Sequence, residues 1–248
     1  MDETKFKKLT NLAYIINAVF AALVLLSTIF YLNFKNLPYV LKTLSSALFV
    51  ACGLFNLVFS WIAFRPKGRK LAFMIMMLCG LILACVGDIL LIDHFILGAV
   101  FFAAGHIVFF AAMIVLSGFC LRDGVVSTLI FVAAFLLIAL NKNFDFAGMK
   151  SLVIAYALVL SLMLGKSVSN AFNVNNRWFF VLVSVGAALF FVSDLMLLFY
   201  IFAGKLKILD ILCLSTYYPA EIVLAFSIFA CAVGFTEYKM KKVNTKNN

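Results

Sequence analysis

Charge is what this chain has least of: only 12% of its 248 residues are Asp, Glu, Lys or Arg, about half the share in an ordinary soluble domain. So little charge cannot cover a water-exposed surface, and with 66% hydrophobic residues the chain reads as an integral membrane protein. Segments alternating apolar and polar residues are missing too, which excludes a β-barrel and leaves helices to satisfy the backbone. Long polar linkers are lacking: "RPKGRK" (Arg65 to Lys70) and "NVNNR" (Asn173 to Arg177) are typical, and connections this short leave no room for a soluble domain. With two histidines, His94 and His106, a three-histidine zinc site is impossible. No Gly-x-Ser-x-Gly elbow and no Cys-x-x-Cys pair occurs, so a nucleophile elbow is excluded. The six cysteines read as free thiols packing as small apolar groups.

What remains is a series of apolar runs near the 20 residues that an α-helix needs to cross about 30 Å of hydrocarbon. We count eight: Leu12 to Leu32, Leu41 to Phe64, Leu71 to Ile92, Ile96 to Leu116, Val125 to Leu140, Leu152 to Phe172, Trp178 to Phe202 and Ile211 to Phe235. The fifth is short, so seven is an alternative. The fold class expected is all-α, one polytopic membrane bundle over residues 1–248. The first run follows "KFKKL" but has no small-x-small cleavage site, and reads as a retained helix rather than a signal peptide.

With the N-terminus inside, 14 of the 20 Lys and Arg fall on the cytoplasmic side. The positive-inside rule then places both termini in the cytoplasm, as expected for a bacterial cytoplasmic membrane protein. The net charge of +10 follows from this flank pattern and from anionic headgroups of membrane lipids, the first expected partners. Basic residues dispersed over helix ends give no nucleic-acid surface.

Against this background the intramembrane polar residues stand out, because a charge at the bilayer centre costs roughly 2.5 to 3.5 kcal/mol on insertion scales. Asp88 and Asp194 fall in the outer leaflet, His106 near mid-depth, Lys42 at the outer rim, and Tyr217, Tyr218 and Glu221 within the first three turns of the eighth helix. The inner half holds mainly Lys166 and Asn170, near enough to the end to snorkel. One polar cavity open to the outer leaflet accounts for that asymmetry. "CVGDILLIDHF" from Cys85 and "FVSDLMLLFYI" from Phe191 also echo each other four helices apart, suggesting a parallel repeat of four helices plus four.

Each residue has a plainer reading. The two aspartates can bond Ser, Tyr or backbone groups between helices, and His106 can be a helix-helix hydrogen-bond partner. Tyr217 and Tyr218 can belong to the interfacial aromatic belt, and Pro219 can simply kink its helix.

"GDILL" at Gly87 to Leu91, "FILGAVFFAAGHIVFF" at Phe95 to Phe110, "GAALFFVSDLMLL" at Gly186 to Leu198 and "YYPAEIVLAFS" at Tyr217 to Ser227 resemble the pattern of the YhhN-like lysoplasmalogenase family in motif order and helix count. "YVLKTLSSALF" at Tyr39 to Phe49 is similar to the family's Lys-Pro-Leu segment but lacks its proline, and Glu221 stands where the family has Gln. The resemblance implies hydrolysis of the vinyl ether bond of a lysoplasmalogen, a lysophospholipid substrate, to a fatty aldehyde and glycerophosphoethanolamine or glycerophosphocholine.

The residues suit that chemistry. Protonating the β-carbon of a vinyl ether creates an oxocarbenium-like cation that water attacks, so a proton donor and a second, ionised carboxylate are needed, as in glycosidases. Asp88 and Asp194 are the expected pair, either serving as acid. His106 is expected to orient or relay protons, Tyr217 and Tyr218 to bond the reacting oxygen or water, Lys42 to meet the phosphate, and Glu221 to join them in substrate binding. No cofactor is called for. A metal held by His106 with Asp88, Asp194 and Glu221 is a less favoured scheme. The rival from another class is a proton-coupled carrier, which also uses repeats and mid-membrane acids but requires polar groups in the inner half.

Overall fold

A computed structural model of the chain describes the backbone of residues 3–33, 38–172 and 177–247, and the side chains of residues 4–33, 39–172 and 178–236. Most of the Asn173 to Arg177 linker therefore lies outside the described residues. Among those described, the chain is eight α-helices and no strand: α1 Glu3–Asn33, α2 Pro38–Phe64, α3 Arg69–Asp93, α4 Phe95–Ser117, α5 Leu121–Leu140, α6 Lys150–Ala171, α7 Arg177–Phe202 and α8 Lys207–Asn247. All eight are long and apolar enough to cross a membrane. Eight crossings put both termini at one end of the bundle, the terminal end; the loops after α1, α3, α5 and α7 make the opposite, loop end.

Most helices start a few residues before the apolar runs do, and the extra residues are polar. The fifth run looked short because Arg122, Asp123 and Gly124 precede it, yet they form its first turn. Asp123 Oδ2 accepts the Cys120 backbone N–H at 2.8 Å and satisfies a donor that would otherwise be orphaned at the helix start. The eighth helix begins at Lys207 rather than Ile211, which puts Glu221 about 21 Å along it at 1.5 Å per residue. Glu221 thus lies midway through the span, deeper than the first three turns expected of it.

Helix neighbours repeat with a shift of four. Consecutive helices pack within each half, and α2 lies against α8 as α6 lies against α4. The expected four-plus-four pattern is visible in this packing. The shift fails at two places: α1 and α3 both touch α8, whereas the backbones of α5 and α7 do not approach α4. Inside the halves the helices come very close. A Cβ on Gly98 would meet the backbone of Leu91 at 2.7 Å, and one on Gly165 would meet Ser127 at 2.5 Å, so glycine is what lets α3 meet α4 and α5 meet α6, as in small-residue membrane interfaces.

The terminal half of the bundle is more polar than the sequence suggested. Lys166 does not snorkel: it is buried, and its Nζ lies 2.7 Å from Asp123 Oδ2 and donates to the Gly118 carbonyl at 2.6 Å. Burial of the α5 start against α6 is what brings Asp123 to Lys166. A second network, also missed, ties α1 into the bundle: Asn17 and Asn56 exchange amide hydrogen bonds of 2.8 Å, and Asn56 Nδ2 donates to the Ala225 carbonyl at 3.0 Å.

Candidate active site

The loop half holds two polar clusters, each built on one aspartate. Asp88 lies in the last two turns of α3 and is 2% exposed. Its Oδ2 accepts the hydroxyls of Ser46 on α2 at 2.6 Å and of Tyr217 on α8 at 2.8 Å, while Lys42 Nζ, from α2, stands 3.4 Å from Oδ1. Three donors surround this carboxylate, which suits a buried anion. Lys42 was expected at the rim. Because α2 starts at Pro38 and the ammonium turns toward Asp88, it is buried instead.

Asp194 is the counterpart on α7. Tyr156 on α6 donates its hydroxyl to Asp194 Oδ2 at 2.7 Å, and His106 on α4 brings Nε2 to 3.1 Å from the Tyr156 oxygen and 3.4 Å from Asp194 Oδ2. With the tyrosine proton on Asp194, the Tyr156 oxygen accepts from His106 Nε2–H, which fixes the tautomer. The far side of the ring, Nδ1, faces Met163 Sδ at 3.2 Å, and Phe190 packs edge-on at 4.5 Å between centroids. Tyr156 is the one member the sequence reading passed over. Its only signal was a hydroxyl two turns into an apolar helix, at the depth of Asp194.

The clusters obey the same shift of four as the helices. The aspartate sits on α3 or α7, a donor comes from α2 or α6, and a ring comes from α8 or α4. They differ in access. Asp194 and Tyr156 are the polar members of two otherwise apolar pockets. One, of about 520 Å³, lies among α3, α4, α6 and α7 and is walled by Phe95, Ala99, Phe102, Leu152 and Leu198. The other, of about 410 Å³, lies among α5, α6 and α7. The first is lined by α4 and α7, whose backbones do not approach. Asp88, Lys42, Tyr217, Tyr218 and Glu221 line neither. These two slots carry Asp194 and not Asp88.

No hydrogen bond or ion pair joins Asp88 to Asp194 among the described residues. Contact between the clusters runs through aromatic rings: Tyr217 meets Phe190 at 5.3 Å and Phe102 at 5.8 Å, and Phe190 meets His106. Glu221 is fully buried, and neither of its oxygens has a hydrogen-bond partner; the Tyr218 hydroxyl is likewise buried and unpaired. Among the described residues no three His, Cys, Asp or Glu side chains converge as metal ligands, so the scheme uniting His106, Asp88, Asp194 and Glu221 around one ion is not assembled.

The sequence pattern of the YhhN family matches residues 37–228, well over half of the chain. No curated protein and no solved structure matches it significantly.

Proposed function

The chain belongs to the YhhN family, and on that premise we propose that it is a membrane hydrolase that cleaves the vinyl ether bond of a lysoplasmalogen, the activity with which the family is associated. The observation that carries the reading is the placement of Asp194, hydrogen-bonded to Tyr156 and flanked by His106, at the polar end of a hydrocarbon-lined slot. A lysolipid has the matching form, one apolar chain whose first bond beyond the hydrocarbon is the ether.

In this scheme the chain lies between Phe95, Phe102 and Leu198, and the double bond reaches Asp194. Protonated Asp194 gives its proton to the β-carbon; the π electrons form the new C–H bond and leave an oxocarbenium ion beside the resulting carboxylate, which stabilises it. Water adds to the cation and returns a proton to Asp194. The hemiacetal then collapses, the C–O bond to glycerol breaking as the hydroxyl proton passes to the departing oxygen, which yields aldehyde and glycerophospholipid headgroup. Tyr156 and His106 hold the carboxyl in place and carry protons. Asp88, tied to Lys42, holds Tyr217 against the Phe102 and Phe190 wall.

The decisive experiment incubates the purified protein in detergent with lysoplasmalogen and with its alkyl-ether and acyl analogues. Aldehyde is expected from the vinyl ether alone, and activity is expected to survive a strong chelator. Release of fatty acid from the acyl analogue, or no aldehyde from any substrate, overturns the proposal. The carrier reading gains from the Asp123–Lys166 pair in the terminal half, because polar groups there were its missing requirement. Proton-coupled uptake into proteoliposomes with no aldehyde formed would establish it instead.

A further inference from the structure

Glu221 has no place in the scheme above, yet it is the most completely enclosed acid of the loop half, at 0% exposed. The charges around it do not balance if it is ionised. Asp88 has the Lys42 ammonium at 3.4 Å, while Asp194 has the Tyr156 hydroxyl at 2.7 Å and the His106 ring at 3.4 Å, so the one ammonium of the two clusters is already held. The other buried cation, Lys166, is held by Asp123 at the opposite end of the bundle. Glu221 has no cation of its own among these, and neither oxygen receives a hydrogen bond. An ionised carboxylate sealed in such surroundings is far costlier than a neutral one.

The neighbouring hydroxyls supply the second half of the argument. Tyr217 stands four residues before Glu221 on the same helix and so on the same face, but gives its only proton to Asp88. Its oxygen can still accept. A bond between Tyr217 and Glu221 therefore requires the proton to be on Glu221.

We propose that Glu221 is a proton-bearing acid that acts as a neutral hydrogen-bond donor toward Tyr217, completing a chain from Glu221 to Tyr217 to Asp88. It is a positioning residue for Tyr217, whose ring packs on the Phe190 that flanks His106. Its role lies in the cluster rather than at the substrate, and it stands independently of the lysoplasmalogenase reading.

The test uses the full-length protein and needs no turnover. Infrared spectra in H2O and D2O should contain the carbonyl stretch of a protonated carboxylic acid that disappears in Glu221→Gln and persists in Tyr217→Phe. Glutamine keeps the shape and an N–H donor, so Glu221→Gln should melt with the wild type. Glu221→Met, similar in size but without a donor, should melt about 2–4 °C lower, the shift that one hydrogen bond gives in a chain of this size. In a Tyr217→Phe background that further loss should vanish, because both changes remove the same link. If no acid band is lost in Glu221→Gln, or if Glu221→Gln is destabilised as much as Glu221→Met, Glu221 is ionised or unlinked to Tyr217 and the proposal fails. These outcomes are separate from the aldehyde assay: an inactive protein with the acid band removes the enzyme and keeps Glu221, and an active one without the band does the reverse.

Discussion

The Asp88 and Asp194 clusters are the same construction placed twice, one closed and one open. Each aspartate receives a hydroxyl from the preceding helix and faces a ring from α8 or α4, two helices that are themselves four apart. At Asp88 the third helix packs directly on the eighth, three donors saturate the carboxylate, and exposure falls to 2%. At Asp194 the equivalent backbone contact, α7 with α4, is missing. Side chains fill part of the gap, and an apolar slot lined by α3, α4, α6 and α7 remains. The α3–α8 contact, present beside Asp88 and unmatched beside Asp194, distinguishes a carboxylate enclosed between helices from one that lines an apolar slot. The largest test of that difference is in turnover: Asp194→Asn preserves shape and should lose about 10²- to 10⁴-fold, the range of a general acid-base contribution, with little change in melting. A double mutant with Asp88→Asn that is scarcely slower than Asp194→Asn alone would show the two acting as one unit.

The closed cluster should fail in a different way. Asp88→Asn leaves the Lys42 ammonium buried without its counter-charge, and breaking a buried pair from one side costs about 3–5 kcal/mol. The expected result is a large drop in thermal midpoint, with turnover per folded molecule falling less than in Asp194→Asn. Adding Lys42→Met removes the stranded charge and should recover most of the stability. A double mutant no more stable than Asp88→Asn would show that Lys42 is not the partner that matters.

The slot itself gives a third test. Ala99 lines it between Phe95 and Phe102, so Ala99→Trp should shorten the space for a chain. Each excluded CH2 is worth about 0.8 kcal/mol, or roughly fourfold in kcat/KM. Substrates of graded chain length should then diverge from the wild-type profile only beyond the length at which the indole is met. A uniform loss at every length would place the chain elsewhere, the α5–α6–α7 pocket being the alternative.

How much of this was legible beforehand follows from the physics of each signal. Eight spans are written in apolar runs, and even the short fifth needed only its capped polar first turn to be counted. The intramembrane acids stand out because charge there is rare. Partnership was not legible, since it depends on where helices meet. The sequence showed Lys42 and Asp88 at similar depth but not that the ammonium turns inward. It showed Lys166 near a helix end but not that α5 brings Asp123 to it. Tyr156 was hidden by being an ordinary residue at an ordinary depth. The echo around Asp88 and Asp194 pointed to a repeat, and nothing in it told that one copy would be closed.

The smallest and most discriminating effects come from the two tyrosines, because the same atom is removed from each cluster. Tyr156→Phe takes the hydroxyl that joins His106 to Asp194. A hydrogen bond to a charged group is worth about 1.5–3 kcal/mol, and in the open cluster that loss should fall on turnover, roughly ten- to hundredfold, with the melt little changed. Tyr217→Phe takes the hydroxyl bound to Asp88 but leaves the ring packed against Phe102 and Phe190. Ser46 and Lys42 still serve the carboxylate, so the cost should fall on stability, about 1–2 kcal/mol, with turnover reduced no more than about threefold. Aldehyde release and thermal midpoint measured on the same two preparations decide it. If both variants lose turnover equally and melt alike, the clusters are not a closed and an open copy, and the difference drawn from the α4–α7 gap has no functional meaning.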